Sequence, residues 1–232
     1  MRLVVAPLVA GELTVRGDEH HYLARVRRAR VGDAIELVDG AGLRARAVIE
    51  RIAGDETVLR AEPPVAIIEP PPRVRVLVPA IKGDRMDTCI EKLVEVGANE
   101  VIVWPAARAV VRLDGARRAA RAAHYQAIAQ AAARQSGRAT IARVAFADSL
   151  AAALAELPPG ARVVLDPAAE RAPFPPGDDV TLASGPEGGF APDELDALAA
   201  SGFAAIGLGP RILRAETAPV VAVALVRAQT AS

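Results

Sequence analysis

Leu208-Gly209-Pro210-Arg211-Ile212-Leu213-Arg214-Ala215-Glu216-Thr217-Ala218 is the stretch on which the reading of this chain turns. A second glycine-bearing segment, Gly185-Pro186-Glu187-Gly188-Gly189-Phe190, precedes it closely and leaves room for only one helix and one strand between them. Two such turns separated by one helix and one strand fall at the same edge of a sheet, the edge at which open α/β folds bind small ligands. The later stretch also carries Arg214 and Glu216 into a strongly apolar segment, Pro219–Val226. Charges at the mouth of an apolar helix point to a site more than to a surface.

Outward from these loops, strand-like and helix-like segments alternate. Val180–Ala183 runs into the first loop and Ala204–Gly207 into the second; Pro192 suits the first turn of the helix between them, although Ala191 is a poor cap. Thr217–Ala228 forms the last helix. Upstream, Val74–Val78, Val101–Val103, Arg143–Phe146 and Val163–Leu165 are strand candidates. Between them lie a helix that Asp84 can cap, with Met86, Ile90, Leu93 and Val94 at helical spacing up to Gly97, an Ala-rich helix over Arg117–Arg134, and one around Leu150–Glu156. This alternation predicts a parallel sheet covered on both faces. Pro70-Pro71-Pro72 cannot lie inside a strand or helix and marks a boundary. The expected organisation is a small, mostly β domain over 1–69, a linker over 70–73 and an α/β domain over 74–232. In the small domain Ala34–Val38, Leu43–Ile52 and Thr57–Arg60 read as strands, Asp39-Gly40 as a hairpin turn, and a short helix starts near Asp18.

Composition limits the function. The chain has 232 residues, 52% hydrophobic but only 3% aromatic, so aliphatic side chains and alanine must fill the core. Lys and Arg number 28 against 28 Asp and Glu, so positive charge for a nucleic-acid partner would have to be local. Cys89 stands alone, and His20, His21 and His124 have no zinc spacing, which leaves no metal site to expect. No uncharged apolar run reaches the ~18 residues that span a bilayer, so the expectation is a cytoplasmic protein without membrane contact.

The first loop is neither a Walker loop, since no Gly-Lys-Ser/Thr follows, nor the dinucleotide fingerprint, whose glycine spacing differs. Glu187 suits it to a cationic or neutral ligand more than to a phosphate. Each feature also has a plainer reading: a glycine turn, a helix N-terminal acid at Glu216, and Arg214 paired with it. Together the two loops are harder to explain that way.

These two motifs resemble the signatures of the RsmE family, uracil-N3 methyltransferases of 16S ribosomal RNA in the SPOUT superfamily. Further segments resemble the same family in order: Lys82-Gly83-Asp84-Arg85-Met86 and Glu91-Lys92-Leu93-Val94-Glu95-Val96-Gly97, Arg108-Ala109-Val110-Val111, Ala132-Ala133-Arg134-Gln135-Ser136-Gly137-Arg138, and His21-Tyr22-Leu23 with Val26, Arg28, Gly32 and Asp33. Ala107 and Ala109 replace the family's Glu and Ser beside Arg108, Arg27 an apolar residue, Ser184 an Ile, and Ala191 a capping Ser or Thr. The resemblance implies a SPOUT-type parallel sheet with a C-terminal trefoil knot behind a PUA-like β-barrel, working as a homodimer.

It also implies S-adenosylmethionine as cofactor, held by Leu165, Gly185, Pro186, Glu187, Gly188, Gly189, Leu208, Gly209, Ile212, Leu213, Thr217 and Ala218. Its sulfonium would lie beside Glu187 or Glu216, though either carboxylate could instead bind RNA or fix a loop. The implied reaction is methylation of a uridine N3 (the family's target is uridine 1498) in the small ribosomal subunit. Arg214 is the candidate for stabilising the uracil anion and Glu216 for orienting it. RNA contacts would come from Arg25, Arg27, Arg28 and Arg30, four arginines in six residues, with Lys82, Arg108, Arg112, Gln135 and Arg138 nearer the site. Two competing readings are a transfer-RNA methyltransferase of the same superfamily and a non-catalytic RNA-binding ribosome assembly factor.

Overall fold

The computed structural model describes residues 1–108 and 115–230, which fall into two compact units. The first comprises Met1–Glu69 together with Ala133–Ile141; the second comprises Pro70–Ala132 with Ala142–Ser232.

The first unit is built on a sheet of β1 (Arg2–Val4), β2 (Gly11–Arg16), β3 (Ala34–Val38), β4 (Leu43–Ala53), β5 (Glu56–Ala61) and β6 (Val65–Ala66). Its strand order is β1-β3-β4-β5-β2, with β6 added to β4. Strict alternation along β4 turns Ala45, Ala47 and Ile49 inward and Arg44, Arg46, Val48 and Glu50 outward. The inward set joins Leu3, Leu23, Leu37 and Leu59, all fully buried. Asp39 builds the β3–β4 connection, its carboxylate accepting from the amides of Ala41 (2.7 Å) and Leu43 (2.8 Å). The predicted helix near Asp18 is α1 (Gly17–His21), which continues as a π-helical turn over Tyr22–Val26. The expected barrel is instead an open, curled sheet. Among the described residues the edge strands β1 and β2 do not pair, and β1, with three residues, is too short to supply a closing ladder.

The second unit is a six-stranded sheet of β7 (Arg73–Pro79), β8 (Glu100–Trp104), β9 (Arg143–Phe146), β10 (Ala161–Leu165), β11 (Asp179–Ala183) and β12 (Ala204–Ile206). Every pairing is parallel, as the alternating pattern predicts, and the strand order is β12-β10-β11-β7-β8-β9. A central parallel strand is covered on both faces and so reads as one apolar run; β7 is buried from Val74 to Pro79. The one charge within that buried run, Arg75, is matched across the ladder by Glu100 (2.6 Å), which also accepts from Arg143 (2.6 Å). A buried guanidinium is tolerated here because its carboxylate partner is buried beside it.

Five helices flank this sheet: α2 (Asp84–Glu95), α3 (Gly115–Ser136), α4 (Leu150–Ala155), α5 (Pro192–Ala200) and α6 (Ala218–Thr230). On α2 the buried stripe is Met86, Cys89, Ile90, Leu93 and Val94. Asp84 is the first helical residue and not the cap; Gly83 occupies that position, without a side chain to offer. Arg227 of α6 closes the other end, donating to the carbonyl of Gly97 and to Asn99 Oδ1 (2.9 Å). α6 packs on β7, β11 and α2. No helix among the described residues is long and apolar enough to cross a membrane.

Candidate functional site

β11 delivers the first loop and β12 the second, and β10 lies between these two strands. Because the strands are parallel, both loops leave the same edge of the sheet, with Leu165 at the end of β10 in register with Ile206.

The first loop is held from beneath and behind. Gly189 closes a tight turn onto the carbonyl of Pro186 (2.8 Å). The Phe190 ring stacks on Trp104, centroids 6.0 Å apart and planes 9° apart, and Trp104 is fully buried. Only glycine fits at position 185, where a Cβ would come within 2.9 Å of the Phe190 ring. Arg108 donates from Nη1 to the carbonyls of Gly188 and Phe190, both at 3.1 Å. Glu194, buried on α5, accepts from the amides of Ala191 and Ala107, both at 2.7 Å. It holds the amide of Ala191, the half of a capping box that does not need the Ala191 side chain, and it ties the loop to the segment after β8.

The second loop begins with a close backbone approach. Gly207 donates to the carbonyl of Glu170 (2.9 Å), and a Cβ there would run into the carbonyl oxygen of Ala169. It ends in a turn in which the amides of Thr217 (2.9 Å) and Ala218 (3.0 Å) bond to the carbonyl of Arg214. Ala215 is buried, whereas Arg211, Ile212 and Arg214 are exposed.

Charged groups from both loops meet at Arg85 of α2. Its Nη1 lies 3.0 Å from Glu187 of the first loop and 3.8 Å from Glu216 of the second. Arg214 Nη1 approaches the other Glu216 oxygen at 3.8 Å. Glu216 is 14% exposed, and its Oε2 is buried with no hydrogen-bond donor among the described residues. One turn along α2 from Arg85, burial pushes the Cys89 thiol up to about 12, with the Glu216 charge adding to the rise. Open space surrounds Gly189 and Gly209, the loop glycines with positive φ (70° and 123°). The result is a cleft with peptide backbone exposed on both walls and two carboxylates and two guanidiniums between them. It can take a small ligand carrying hydroxyls, amines and a positive charge.

The structure thus gathers Glu187, Arg214 and Glu216, with Gly185, Pro186, Gly188 and Gly189 in one wall and Leu208, Gly209, Ile212, Leu213, Thr217 and Ala218 in the other. In the second unit Lys82 is exposed, and Arg108 is tied to the first loop. In the first unit Arg25, Arg27, Arg28 and Arg30 are exposed on one short segment in which Arg28 has a positive φ of 50°. Gln135 is exposed as well. Arg138 is not a free cation: its guanidinium makes two bonds to Glu69 (2.9 and 2.8 Å) and its side chain is 9% exposed. Arg112 lies outside the described residues. Sequence reasoning gave no site role to Arg85, quoted only within a family-like segment, and did not single out Trp104 or Glu194. The available signal for Arg85 was a charge one helical turn before Cys89, at the margin of the apolar stripe of α2.

The family model described as an RNA methyltransferase domain matches residues 69–227, and an RNA methyltransferase PUA domain matches residues 15–60. The chain is 36% identical over 235 residues to ribosomal RNA small subunit methyltransferase E of Mycobacterium bovis, covering 91% of this chain and 84% of the relative. It is 30% identical to the Bacillus subtilis protein of the same name, covering 95% and 91%. A solved structure of ribosomal RNA small subunit methyltransferase E from Neisseria gonorrhoeae, bound to S-adenosyl methionine, superposes with a TM-score of 0.87 at 26% identity, covering 98% of this chain and 96% of that one.

Proposed function

The chain belongs to the ribosomal RNA small subunit methyltransferase E family of RNA methyltransferases, and from that premise we propose that it methylates N3 of one specific uridine in 16S ribosomal RNA with S-adenosylmethionine as donor. The observation that carries the reading is the cleft between the two glycine loops, with the donorless Glu216 oxygen inside it.

The residues present fit such a donor. Backbone at Gly185, Gly188 and Leu208 can serve adenine, ribose and the amino-acid tail, and the open glycines leave room for a bent ligand. When bound, S-adenosylmethionine supplies an electrophilic methyl group on a sulfonium sulfur. Glu187 has Arg85 at 3.0 Å, whereas the guanidiniums near Glu216 stand at 3.8 Å and its Oε2 has no donor among the described residues, so Glu216 is the carboxylate better placed to favour a positive charge in the cleft.

The acceptor sets its own demands. N3 lies on the Watson–Crick edge, so the base must be unpaired or turned out of its helix before it can react. N3 also carries a weakly acidic proton, and negative charge grows on the uracil as that proton leaves. Arg214 is exposed at the mouth of the cleft, where its guanidinium can meet this charge, and Glu216 at 3.8 Å orients it. Arg25, Arg27, Arg28 and Arg30 supply sequence-independent attraction to phosphate.

Two architectural elements complete the proposal. The passage of Gly207 against Ala169 and Glu170, followed by the return of α6 from the sheet edge to β7 and β11, supports a trefoil knot at the second loop. The 86% exposure of Ile212 and the apolar α6 support a homodimer that covers this loop.

The deciding experiment incubates the protein with labelled S-adenosylmethionine and small subunits lacking the modification, then maps the labelled nucleoside. Label in 3-methyluridine of 16S RNA is expected; label in another nucleoside, or transfer to transfer RNA alone, overturns the assignment.

A further inference from the structure

We infer that Arg85 is a positioning residue that latches the two loops together through Glu187 and Glu216, setting the width of the cleft before any ligand enters. The inference rests on the reading of this cleft as the S-adenosylmethionine site.

The three residues come from three different elements. Arg85 stands on α2, whose buried stripe of Met86, Cys89 and Ile90 fixes it to the sheet. Glu187 stands at the tip of the first loop, beside glycines that do little to hold it. Glu216 stands at the end of the second loop. One guanidinium nitrogen lies 3.0 Å from the first carboxylate and 3.8 Å from the second. Without that nitrogen two like charges would face one another across the cleft, and Glu216 would keep only Arg214, at its other oxygen, while the buried Oε2 has no hydrogen-bond donor among the described residues. Repulsion would then widen the cleft, and the first loop would lose its ion pair with α2.

Charge also decides why this position needs a cation. Arg85 and Arg214 stand against Glu187 and Glu216, so each carboxylate has a guanidinium within 4 Å. A ligand that brings a sulfonium finds both carboxylates already held at fixed spacing and does not have to order them. Pre-organisation of that kind lowers the cost of binding without adding a contact. Arg85 and Glu187 are each 39% exposed, so solvent screens the pair and its effect on global stability is small. Its effect is expected in loop order and ligand affinity.

The test compares wild type with Arg85→Ala, Arg85→Lys, Glu187→Gln and the Arg85→Ala/Glu187→Gln double variant. Amide hydrogen exchange of residues 185–190 is measured in the ligand-free protein, and S-adenosylmethionine affinity by calorimetry. Arg85→Ala is expected to speed exchange in that loop and to weaken binding about five- to tenfold. Arg85→Lys should recover part of both, and the double variant should be no worse than Arg85→Ala alone. Unchanged exchange and affinity in Arg85→Ala, no recovery with Lys, or additive losses in the double variant overturn the inference. Should Arg85→Ala fail to fold, Glu187→Gln breaks the same pair from its exposed side; faster exchange of the loop supports the latch and unchanged exchange overturns it. If wild type does not bind S-adenosylmethionine, the functional reading fails, while exchange in the ligand-free variants still decides whether the latch exists.

Discussion

Trp104 and Phe190 stack with their rings 9° from parallel and 6.0 Å between centroids, which couples the end of β8 to the last residue of the first loop. Trp104 is the only tryptophan in the chain. Its emission should therefore report the state of that loop: titration with S-adenosylmethionine is expected to change Trp104 fluorescence in a saturable way. Phe190→Ala should abolish the change and lower stability by about 2–3 kcal/mol, below the range for a fully buried Phe because the ring is partly exposed. Urea unfolding and the fluorescence titration check both.

Arg214 is 76% exposed, so replacing it costs the fold little. Arg214→Ala is expected to lower kcat about 100-fold, in line with loss of one preorganised group facing developing charge. Donor affinity should stay within about threefold, since the contact is made to the uracil and not to the donor. Single-turnover methylation beside calorimetry separates the two; turnover near wild type removes Arg214 from the mechanism.

The four arginines at 25, 27, 28 and 30 should make RNA affinity steeply dependent on salt. Replacing all four with Ala is expected to flatten the slope of log K against log salt by up to about 3, at roughly 0.7 per phosphate contact to single-stranded RNA. Fluorescence anisotropy across a salt series measures it, and an unchanged slope places the RNA elsewhere.

Cys89, pushed up to about 12, should not react with thiol reagents in the native protein at pH 8. The sign of the linkage follows from the raised value. Below pH ~8.5 the thiol is protonated in both folded and unfolded chains and contributes no pH dependence. Above that, the unfolded chain loses the proton and the folded one keeps it, so stability falls as pH rises, by at most about 1.4 kcal/mol per unit from this group. Urea titrations between pH 8.5 and 11 on wild type and Cys89→Ala should diverge in that direction.

How much of this was legible beforehand varies with the kind of interaction. Arg143–Phe146 and Ala34–Val38 match their sequence-predicted limits because their polarity pattern is local. The parallel sense of the large sheet followed from alternation, but its strand order did not. β1, β2 and β6 were not anticipated: three are short or half-polar strands whose existence depends on a partner already in place, as β2 depends on β5. The glycine loops were legible, but Arg85 was not, since its role comes from two carboxylates more than a hundred residues away in sequence. Ala191 looked like a missing cap, and Glu194 supplies the acceptor from within the helix.

The pairing of β7 with β11 joins Val74 to Val180 and Leu77 to Ala183. While the chain is being synthesised, β7 can pair with β8 soon after both emerge, but its other edge has no partner until residues near 180 leave the ribosome. During that interval a largely apolar strand, with Arg75 as the charge in its buried run, presents an open ladder to any neighbouring chain. The sheet that carries both loops is therefore also where newly made chains are most prone to associate. Folding yield should depend on how quickly the C-terminal third follows the rest.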